Sequence, residues 1–215
     1  CNWGQESVWT WGAGVGNLWR TTGDINASFG SMLSNFHNTV GLASYAAPGG
    51  WNDPDMLEVG NGMSFTEDRS EMSLWAMMAA PLISGTDLRS ATPATLSLYT
   101  NKDVIAVDQD SLGKAGTEIA STGGKDVMAR KLANGDVAVV LFNENGTAQT
   151  ISTTASAAGA ASASSYTLNN LWSHVLTSTT GTISATVPAH GSVMYRVSAG
   201  SGTSVGGTPP LAGAS

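Results

Sequence analysis

The hydrophobic pattern changes character near residue 113, and this change limits the folds that the chain can adopt. Before it, short apolar segments alternate with longer stretches of helical spacing. Ser28 to Tyr45 places apolar residues three and four apart, and Ser28 or Asn26 could cap its start. Thr66 to Ala79 opens with acidic residues and continues with an apolar face. Both stretches predict helices.

Three short apolar segments alternate with these helices: Leu18-Trp19, Met56 to Val59 and Pro81 to Ser84. Each is followed by glycine or polar residues. This alternation is typical of parallel strands that are covered by helices. We therefore expect residues 1–113 to form an α/β unit with parallel strands.

From about Lys114 the spacing indicates antiparallel β structure. Asn134-Gly135-Asp136 separates two apolar segments, and Asn-Gly readily supplies the positive φ angles of a tight hairpin turn. Further β-like segments follow at Thr147 to Ser152, Ser165 to Leu168, Gly181 to Val187 and Ser192 to Val197. We expect a small antiparallel β domain over residues 114–197. Residues 198–215 are rich in Gly, Ser, Thr, Pro and Ala, which predicts a linker or tail that could lead to a further domain.

Composition excludes several classes of partner. The nine Lys and Arg residues are scattered and the net charge is -7, which disfavours nucleic acid and anionic membranes. The apolar runs are too short to span a bilayer. His37, His174 and His190 lack the spacing of a metal site, and Asp108-Gln109-Asp110 is interpreted as a turn between domains rather than a cation loop. Low charge with abundant Ala, Ser, Thr and Gly favours a secreted bacterial protein.

Acidic side chains follow the predicted strands. Asp53 and Asp55 flank Pro54, which fixes one φ angle, and Asp24 follows Arg20 at another strand end. The loops at the carboxyl ends of parallel strands form the functional site in such folds, so these carboxylates could converge. Cleavage of a glycosidic bond needs two carboxyl groups about 5–5.5 Å apart for retention, or farther apart for inversion. The sequence therefore predicts a candidate site for sugar cleavage.

Spacing alone leaves the roles of these residues open. Either Asp53 or Asp55 could be purely structural, because Asp-x-Asp is common. Trp3 or Trp51 could stack on a sugar ring, and Arg20 could bind hydroxyl groups through its planar guanidinium.

Five sequence blocks, in the same order, resemble the melibiase family, the α-galactosidases of glycoside hydrolase family 27. They are Cys1 to Gly4, Trp19 to Ile25, Gly50 to Leu57, Ala79 to Leu82 and Asn101 to Asp110. The resemblance covers about residues 1–197, closely up to Gly113 and loosely beyond. It implies a (β/α)8 TIM barrel followed by an antiparallel β-sandwich, with this chain carrying about strands 6–8 of the barrel. It also implies a retaining reaction with no metal or organic cofactor.

The resemblance also implies roles for single residues. Asp24 matches the acid/base aspartate, and Arg20 would bind the 2-hydroxyl side of the sugar. Cys1 and Trp3 would line the same side, and Met56 would pack against the ring. Aspartates next to the family's signature proline would shape the strand end rather than catalyse.

The family signature is represented here by Trp51, Asp53 and Asp55, to which the resemblance assigns a structural role. The family's nucleophile lies in a Lys-Tyr-Asp motif that does not occur in these 215 residues, since Lys102-Asp103 and Lys125-Asp126 lack its context. The aspartate pair that grips the 4- and 6-hydroxyls of galactose is also absent. We therefore expect a truncated chain that is inactive by itself and leaves parallel strand edges unpaired.

The first functional hypothesis is a fragment of an exo-acting enzyme that hydrolyses terminal α-D-galactosyl residues, with α-galactoside sugars as its ligands. Within this class, α-N-acetylgalactosaminidase or β-L-arabinopyranosidase activity stays open. The second hypothesis is a non-catalytic carbohydrate-binding or structural module, and a further carbohydrate-binding domain could follow the tail. An upstream Lys-Tyr-Asp segment in the same reading frame would favour the enzyme.

Overall fold

The computed structural model of the protein describes residues 5–200, and its first part contains short parallel strands. Strand β1 (Leu18–Arg20) pairs in parallel with β2 (Trp51–Asp53), which places Arg20 opposite Asp53. A parallel bridge between Leu57 and Ser84 adds a third segment. Two short 3-10 helices, at Val8–Thr10 and Gly12–Gly14, precede β1.

The predicted strand at Met56 to Val59 was wrong in its position. The regular strand lies earlier, at Trp51–Asp53, and only Leu57 of the predicted segment pairs again. Pro54 has no N–H group to donate, and Asp55 adopts a φ of 88°, so the chain turns between these two pairings. Similarly, only Ser84 pairs within the predicted segment Pro81 to Ser84.

Two helices occupy the stretches of helical spacing. Helix α1 (Phe29–Val40) begins after Ser28, whose hydroxyl accepts a hydrogen bond from the Ser31 N–H at 3.3 Å, so Ser28 rather than Asn26 is the cap. It ends earlier than predicted, and Ala43–Tyr45 forms a separate 3-10 helix. Helix α2 (Phe65–Met78) lies within one residue of the prediction at each end.

Helix α2 begins with a capping box. The Ser64 hydroxyl accepts from the Glu67 N–H, and the Glu67 carboxylate accepts from the Ser64 N–H. Ten of the 14 helical residues are buried, because α2 packs against α1 and also against the β-sheet described below. It is therefore the central helix of the structure.

Two further helices, α3 (Pro93–Tyr99) and α4 (Lys102–Asp108), were not predicted. Each has seven residues, too few to show a helical period clearly. Asp108 closes α4, and the predicted turn begins at Gln109. No helix among residues 5–200 is both long and apolar enough to cross a membrane.

The second part of the described chain is antiparallel β structure. Its strands are β3 (Thr117–Ser121), β4 (Lys125–Lys131), β5 (Val137–Asn143), β6 (Gln149–Thr154), β7 (Tyr166–Asn170), β8 (Leu176–Thr179), β9 (Thr182–Val187) and β10 (Ser192–Ala199). One six-stranded sheet has the order β3-β4-β5-β10-β7-β8, and β6 and β9 form a two-stranded sheet. The predicted hairpin is β4–β5, with Gly135 at a φ of 89° in its turn.

Strands β3 and β8 were missed by the sequence pattern. Every residue of β3 and three of the four residues of β8 are exposed, since both strands lie at the edges of the six-stranded sheet. They lack the buried apolar face that alternating hydrophobicity would indicate.

Strand β5 is buried at all seven positions because both faces of its sheet are covered. One face packs against the helices and the other against the two-stranded sheet. The helix side includes Met128, Ala138, Val140, Phe142 and Met194. The other side includes Val139, Leu141, Ile151, Ile183, Val187 and Val197. The secondary structure changes from helix to strand between Asp108 and Thr117. The predicted domain boundary at residue 113 stays a prediction.

Candidate active site

An ion pair joins the loops that follow β1 and β2. Arg20 Nη2 lies 2.7 Å from Asp55 Oδ2, and the Asp55 side chain is 13% exposed. The same Asp55 oxygen accepts a hydrogen bond from the Ile25 N–H at 2.8 Å, and Oδ1 accepts from the Met56 N–H at 2.8 Å. The carboxylate of Asp55 is therefore fully engaged in holding the two loops together.

Asp24 contacts the same arginine from an open position. Its Oδ1 lies 3.3 Å from Arg20 Nη2, but its side chain is 98% exposed. Arg20 Nη2 also donates to the Gly23 carbonyl at 2.8 Å, which fixes the guanidinium beside the loop. The structure thus brings Arg20, Asp24 and Asp55 together. Only Asp24 could meet a ligand without losing several contacts.

Asp53 points into the protein. It is 6% exposed, and its Oδ1 accepts from the Asp55 N–H at 2.9 Å. Burial raises the pKa of the Asp53 carboxyl, although this hydrogen bond and the nearby charge of Arg20 act in the opposite direction. These contacts leave Asp53 little freedom to act on a ligand.

Side chains next to the signature aspartates support the two strands. Trp19 Nε1 donates to Asn52 Oδ1 at 2.8 Å, so neighbouring strands are joined by side chains as well as backbone. Trp51 lies at the start of β2, opposite Leu18, and lines a pocket with residues that include Pro48 and Pro81. Its indole therefore lies at the other end of the strand from Asp53. This position disfavours the stacking of Trp51 on a sugar held by Arg20.

Met56 is held where β2 gives way to the Leu57–Ser84 bridge. A Cβ atom at Gly85 would lie 2.9 Å from Met56 Sδ and 3.0 Å from the Leu57 carbonyl oxygen. Glycine at position 85 is therefore needed for the thioether to occupy its place. Cys1 and Trp3, which were predicted to bind the substrate, lie outside the described residues.

Three further residues, whose role no sequence motif indicates, fix the Pro54-Asp55 turn. Asn35 Nδ2 donates to the Pro54 carbonyl at 2.8 Å, and the Thr22 hydroxyl donates to the same oxygen at 3.2 Å. Trp75 Nε1 donates to the Asp55 carbonyl at 2.8 Å. The sequence did contain one signal, because Asn35 is a polar residue beside Phe36 on the apolar side of a predicted helix.

No group of three or more His, Cys, Asp or Glu side chains within residues 5–200 could hold a metal ion. The arrangement at Arg20 instead combines a fixed cation with an exposed carboxylate. It can bind a hydroxyl group and exchange a proton with a neighbouring oxygen.

Two family models match successive parts of the chain. Residues 5–110 match the family described as alpha galactosidase A, and residues 122–197 match the C-terminal beta sandwich domain of alpha galactosidase. The chain is 47% identical over 196 residues to an alpha-galactosidase of Oryza sativa subsp. japonica, covering 91% of this chain and 47% of the relative. It is 48% identical over 197 residues to an alpha-galactosidase of Coffea arabica, covering 91% and 52%. The chain thus spans about half the length of the curated relatives it matches.

Several solved structures are similar in fold to this chain. Alpha-galactosidase I from Mortierella vinacea has a TM-score of 0.88 at 30% identity, covering 93% of this chain and 57% of that chain. The alpha-galactosidase from Saccharomyces cerevisiae with raffinose has a TM-score of 0.84 at 25% identity, covering 92% and 62%. A family 27 β-L-arabinopyranosidase from Geobacillus stearothermophilus has a TM-score of 0.85 at 23% identity, covering 92% and 48%, and this likeness shows the fold alone.

Proposed function

Since this chain belongs to the α-galactosidases of glycoside hydrolase family 27, as a C-terminal region of a TIM barrel followed by a β-sandwich, we propose that it supplies the acid/base residue for the hydrolysis of terminal α-D-galactosyl groups. The observation that carries the proposal is the difference between the two aspartates on Arg20. Asp55 is enclosed by its contacts, whereas Asp24 is open to a ligand.

In the proposed reaction, Asp24 protonates the oxygen that leaves the sugar and later removes a proton from the attacking water. A retaining enzyme needs a second carboxylate about 5–5.5 Å away to form the covalent intermediate. We assign this nucleophile to residues outside the 215, because no Lys-Tyr-Asp sequence occurs among them. The 215-residue chain alone is then inactive.

Substrate binding would rest on residues around Asp24. Arg20 would donate hydrogen bonds on the 2-hydroxyl side of the sugar, with Asp55 holding its guanidinium in place. Met56 would pack against the ring, and Cys1 and Trp3 would complete that side of the pocket. The proposed double displacement requires no cofactor.

Three further parts of the proposal concern the whole protein. We assign residues 1–113 to the barrel, residues 114–197 to the β-sandwich and residues 198–215 to a linker or tail. Low charge and abundant small polar residues support a secreted bacterial protein, and a relative from the bacterium Cellvibrio japonicus is 43% identical over 155 residues. α-Galactosides are the proposed ligands, in line with the yeast enzyme solved with raffinose.

The proposal is tested by joining this chain to the N-terminal half of the rice relative and measuring hydrolysis of raffinose. The chimera should be active, and the 215-residue chain alone should not. Asp24→Asn in the chimera should abolish raffinose hydrolysis but spare the first step with aryl galactosides, whose good leaving groups need little protonation.

Asp87→Asn is the matched control, because Asp87 is an exposed aspartate that pairs with Arg89 rather than with Arg20. This variant should keep the activity of the parent chimera. Unchanged raffinose turnover by the Asp24→Asn chimera would remove Asp24 from the mechanism. Galactosidase turnover by the purified 215-residue chain would show that the nucleophile lies within it.

A further inference from the structure

A groove lies between the start of α2, the junction of α3 with α4, and the turn after β7. It is lined by residues that include Phe65, Arg69, Lys102, Asp103, Trp172 and His174, and its volume is about 570 Å³. This volume falls in the range of about 300–1,000 Å³ that is typical of small-molecule sites. None of the residues assigned to the proposed galactose site lines it.

Arg69 has no partner for its charge in the described part of the chain. Among residues 5–200 it forms no ion pair, and its Nε is buried without a hydrogen-bond acceptor. The Arg69 side chain is half-buried, and this burial lowers the pKa of its guanidinium. The chain has four other arginines, and the guanidinium of each has a carboxylate or carbonyl partner: Arg20, Arg89, Arg130 and Arg196.

The acidic residue in the groove, Asp103, forms no ion pair with Arg69. Asp103 Oδ2 lies 3.0 Å from His174 Nδ1, so it is already paired with another member of the groove. Lys102 is exposed and forms no ion pair with the described residues. Among the described residues, Arg69 and Lys102 thus form no ion pair, and both line this groove together with a single carboxylate, that of Asp103. Such a site attracts an anion.

An aromatic side chain, that of Trp172, lines the same groove as Arg69. Trp172 Nε1 donates to Ser73 Oγ at 2.9 Å, which fixes the indole, and the side chain is half-buried. Arg69 and Trp172 also line a smaller pocket together, so the two residues are neighbours on this surface. Phe65 is 48% exposed at the same groove.

We propose that this groove binds a sugar ring that carries a carboxylate, as in a uronic acid. The planar guanidinium of Arg69 matches a carboxylate through two parallel hydrogen bonds. The rigid indole of Trp172 offers a flat face to the C–H side of the ring. Lys102 adds charge without a fixed direction, and it strengthens binding to a smaller extent than Arg69.

The test is a titration of the 215-residue chain with D-galacturonate, D-galactose and acetate, followed by NMR through the Trp172 indole N–H. Galacturonate should bind in the millimolar range, at least about tenfold more tightly than either galactose or acetate. Galactose tests the need for the carboxylate, and acetate tests the need for the ring. Equal binding of galacturonate and acetate would overturn the proposal, and so would the absence of any galacturonate binding.

Arg69→Gln should weaken galacturonate binding to the level of galactose. Arg89→Gln is the matched control, because Arg89 is exposed and paired with Asp87, and it should bind like the parent. If Arg69→Gln fails to fold, Lys102→Gln replaces it, with an expected loss of about threefold that salt reproduces in the parent. Unchanged binding by a folded Arg69→Gln chain would exclude the site, as would unchanged binding by Lys102→Gln where that variant is used.

Discussion

Arg20 contacts two carboxylates whose surroundings give these contacts different energies. Asp55 is 13% exposed, so its hydrogen bonds to Arg20, Ile25 and Met56 are protected from water. Charge-assisted hydrogen bonds of this kind each contribute about 1.5–3 kcal/mol. Asp24 is 98% exposed, where an ion pair contributes little because water and salt screen it. Arg20 thus stabilises the loop through Asp55, while its contact with Asp24 stays open to solvent.

Replacing Asp55 should therefore cost far more stability than replacing Asp24. We expect Asp55→Asn to lower the free energy of unfolding by about 2 kcal/mol, because Arg20 loses its enclosed counter-charge. Asparagine tolerates the positive φ of position 55, so the backbone should stay in place. Asp24→Asn should change the free energy by less than about 0.5 kcal/mol. Urea unfolding of the two variants measures both values, and a larger loss for Asp24→Asn would contradict this assignment.

The sequence was sufficient to predict that Arg20, Asp24 and Asp55 belong near strand ends. It could not show which aspartate would be enclosed. That depends on the left-handed backbone of Asp55 and on donors from two helices, Asn35 and Trp75, that hold the turn from behind. Asn35 lies 19 positions from Pro54 in the sequence, and Trp75 lies 20 positions from Asp55, so no local sequence pattern encodes these contacts.

At the scale of elements, α2 carries acidic groups into the interior. Glu71 is fully buried, and its Oε1 accepts from the Glu58 N–H at 3.1 Å. Its Oε2 has no hydrogen-bond partner among the described residues. The pKa of Glu71 is raised to about 8, mainly by burial and also by the charges of Asp68 and Glu58, against the lowering effect of that hydrogen bond. The side chain is therefore protonated in the folded protein near neutral pH.

This burial makes stability depend on pH with a known sign. The unfolded chain releases the Glu71 proton near its ordinary pKa of 4.5, whereas the folded chain keeps it up to about pH 8. The contribution of Glu71 is thus fully present below about pH 4.5 and falls by at most about 1.4 kcal/mol per pH unit until about pH 8. Glu71→Gln should remove this loss, so the variant should gain stability relative to the parent as pH rises from 5 to 8. Urea unfolding at pH 5, 6.5 and 8 measures the difference.

Glu67 on the same helix is the matched control with the opposite sign. Burial acts to raise the pKa of Glu67, but hydrogen bonds from Ser64 and His190 outweigh it and lower the pKa. Its contribution is present above the ordinary pKa of 4.5 and is lost as pH falls. Glu67→Gln should therefore destabilise at pH 7 and lose this effect in acid. A constant difference between Glu71→Gln and the parent across the pH range would contradict the assignment.

The elements that the sequence predicted are those with a repeated hydrophobic signal. Helices α1 and α2 and the β4–β5 hairpin each show several turns or alternations of apolar residues. Seven-residue helices and exposed edge strands show too few. The strand at Trp51–Asp53 was misplaced because the proline and the left-handed aspartate that end it lie inside the same conspicuous motif.

At the scale of the whole molecule, helices and sandwich share one interior. Phe142 on β5 packs edge-on against Phe36 of α1, with ring centroids 5.8 Å apart. Two contacts between a histidine and a carboxylate join the same parts, His37 with Glu144 and His190 with Glu67, each at 2.8 Å. Neither part is separated from the other by solvent at these contacts.

We therefore expect the described chain to unfold as one cooperative unit. Phe142→Ala on the helix side should cost about 3–5 kcal/mol, and Leu141→Ala on the sandwich side about 2–5 kcal/mol. Both should speed hydrogen exchange in α2 and in β9, because the sheet between them is shared. Val175→Ala, at a site that is 56% exposed, should leave exchange unchanged. Faster exchange confined to β9 in the Leu141→Ala chain would show two independent units.

The sheet face that carries Met128, Val140, Phe142 and Met194 has a consequence for how such proteins can recombine. A sandwich with a solvated outer face could be exchanged between relatives at the linker alone. Here the β module and its helices must change together, since a foreign barrel would have to reproduce the surface that this face fits. Shuffling that preserves folding should keep these side chains with α1 and α2, whatever their distance in the gene.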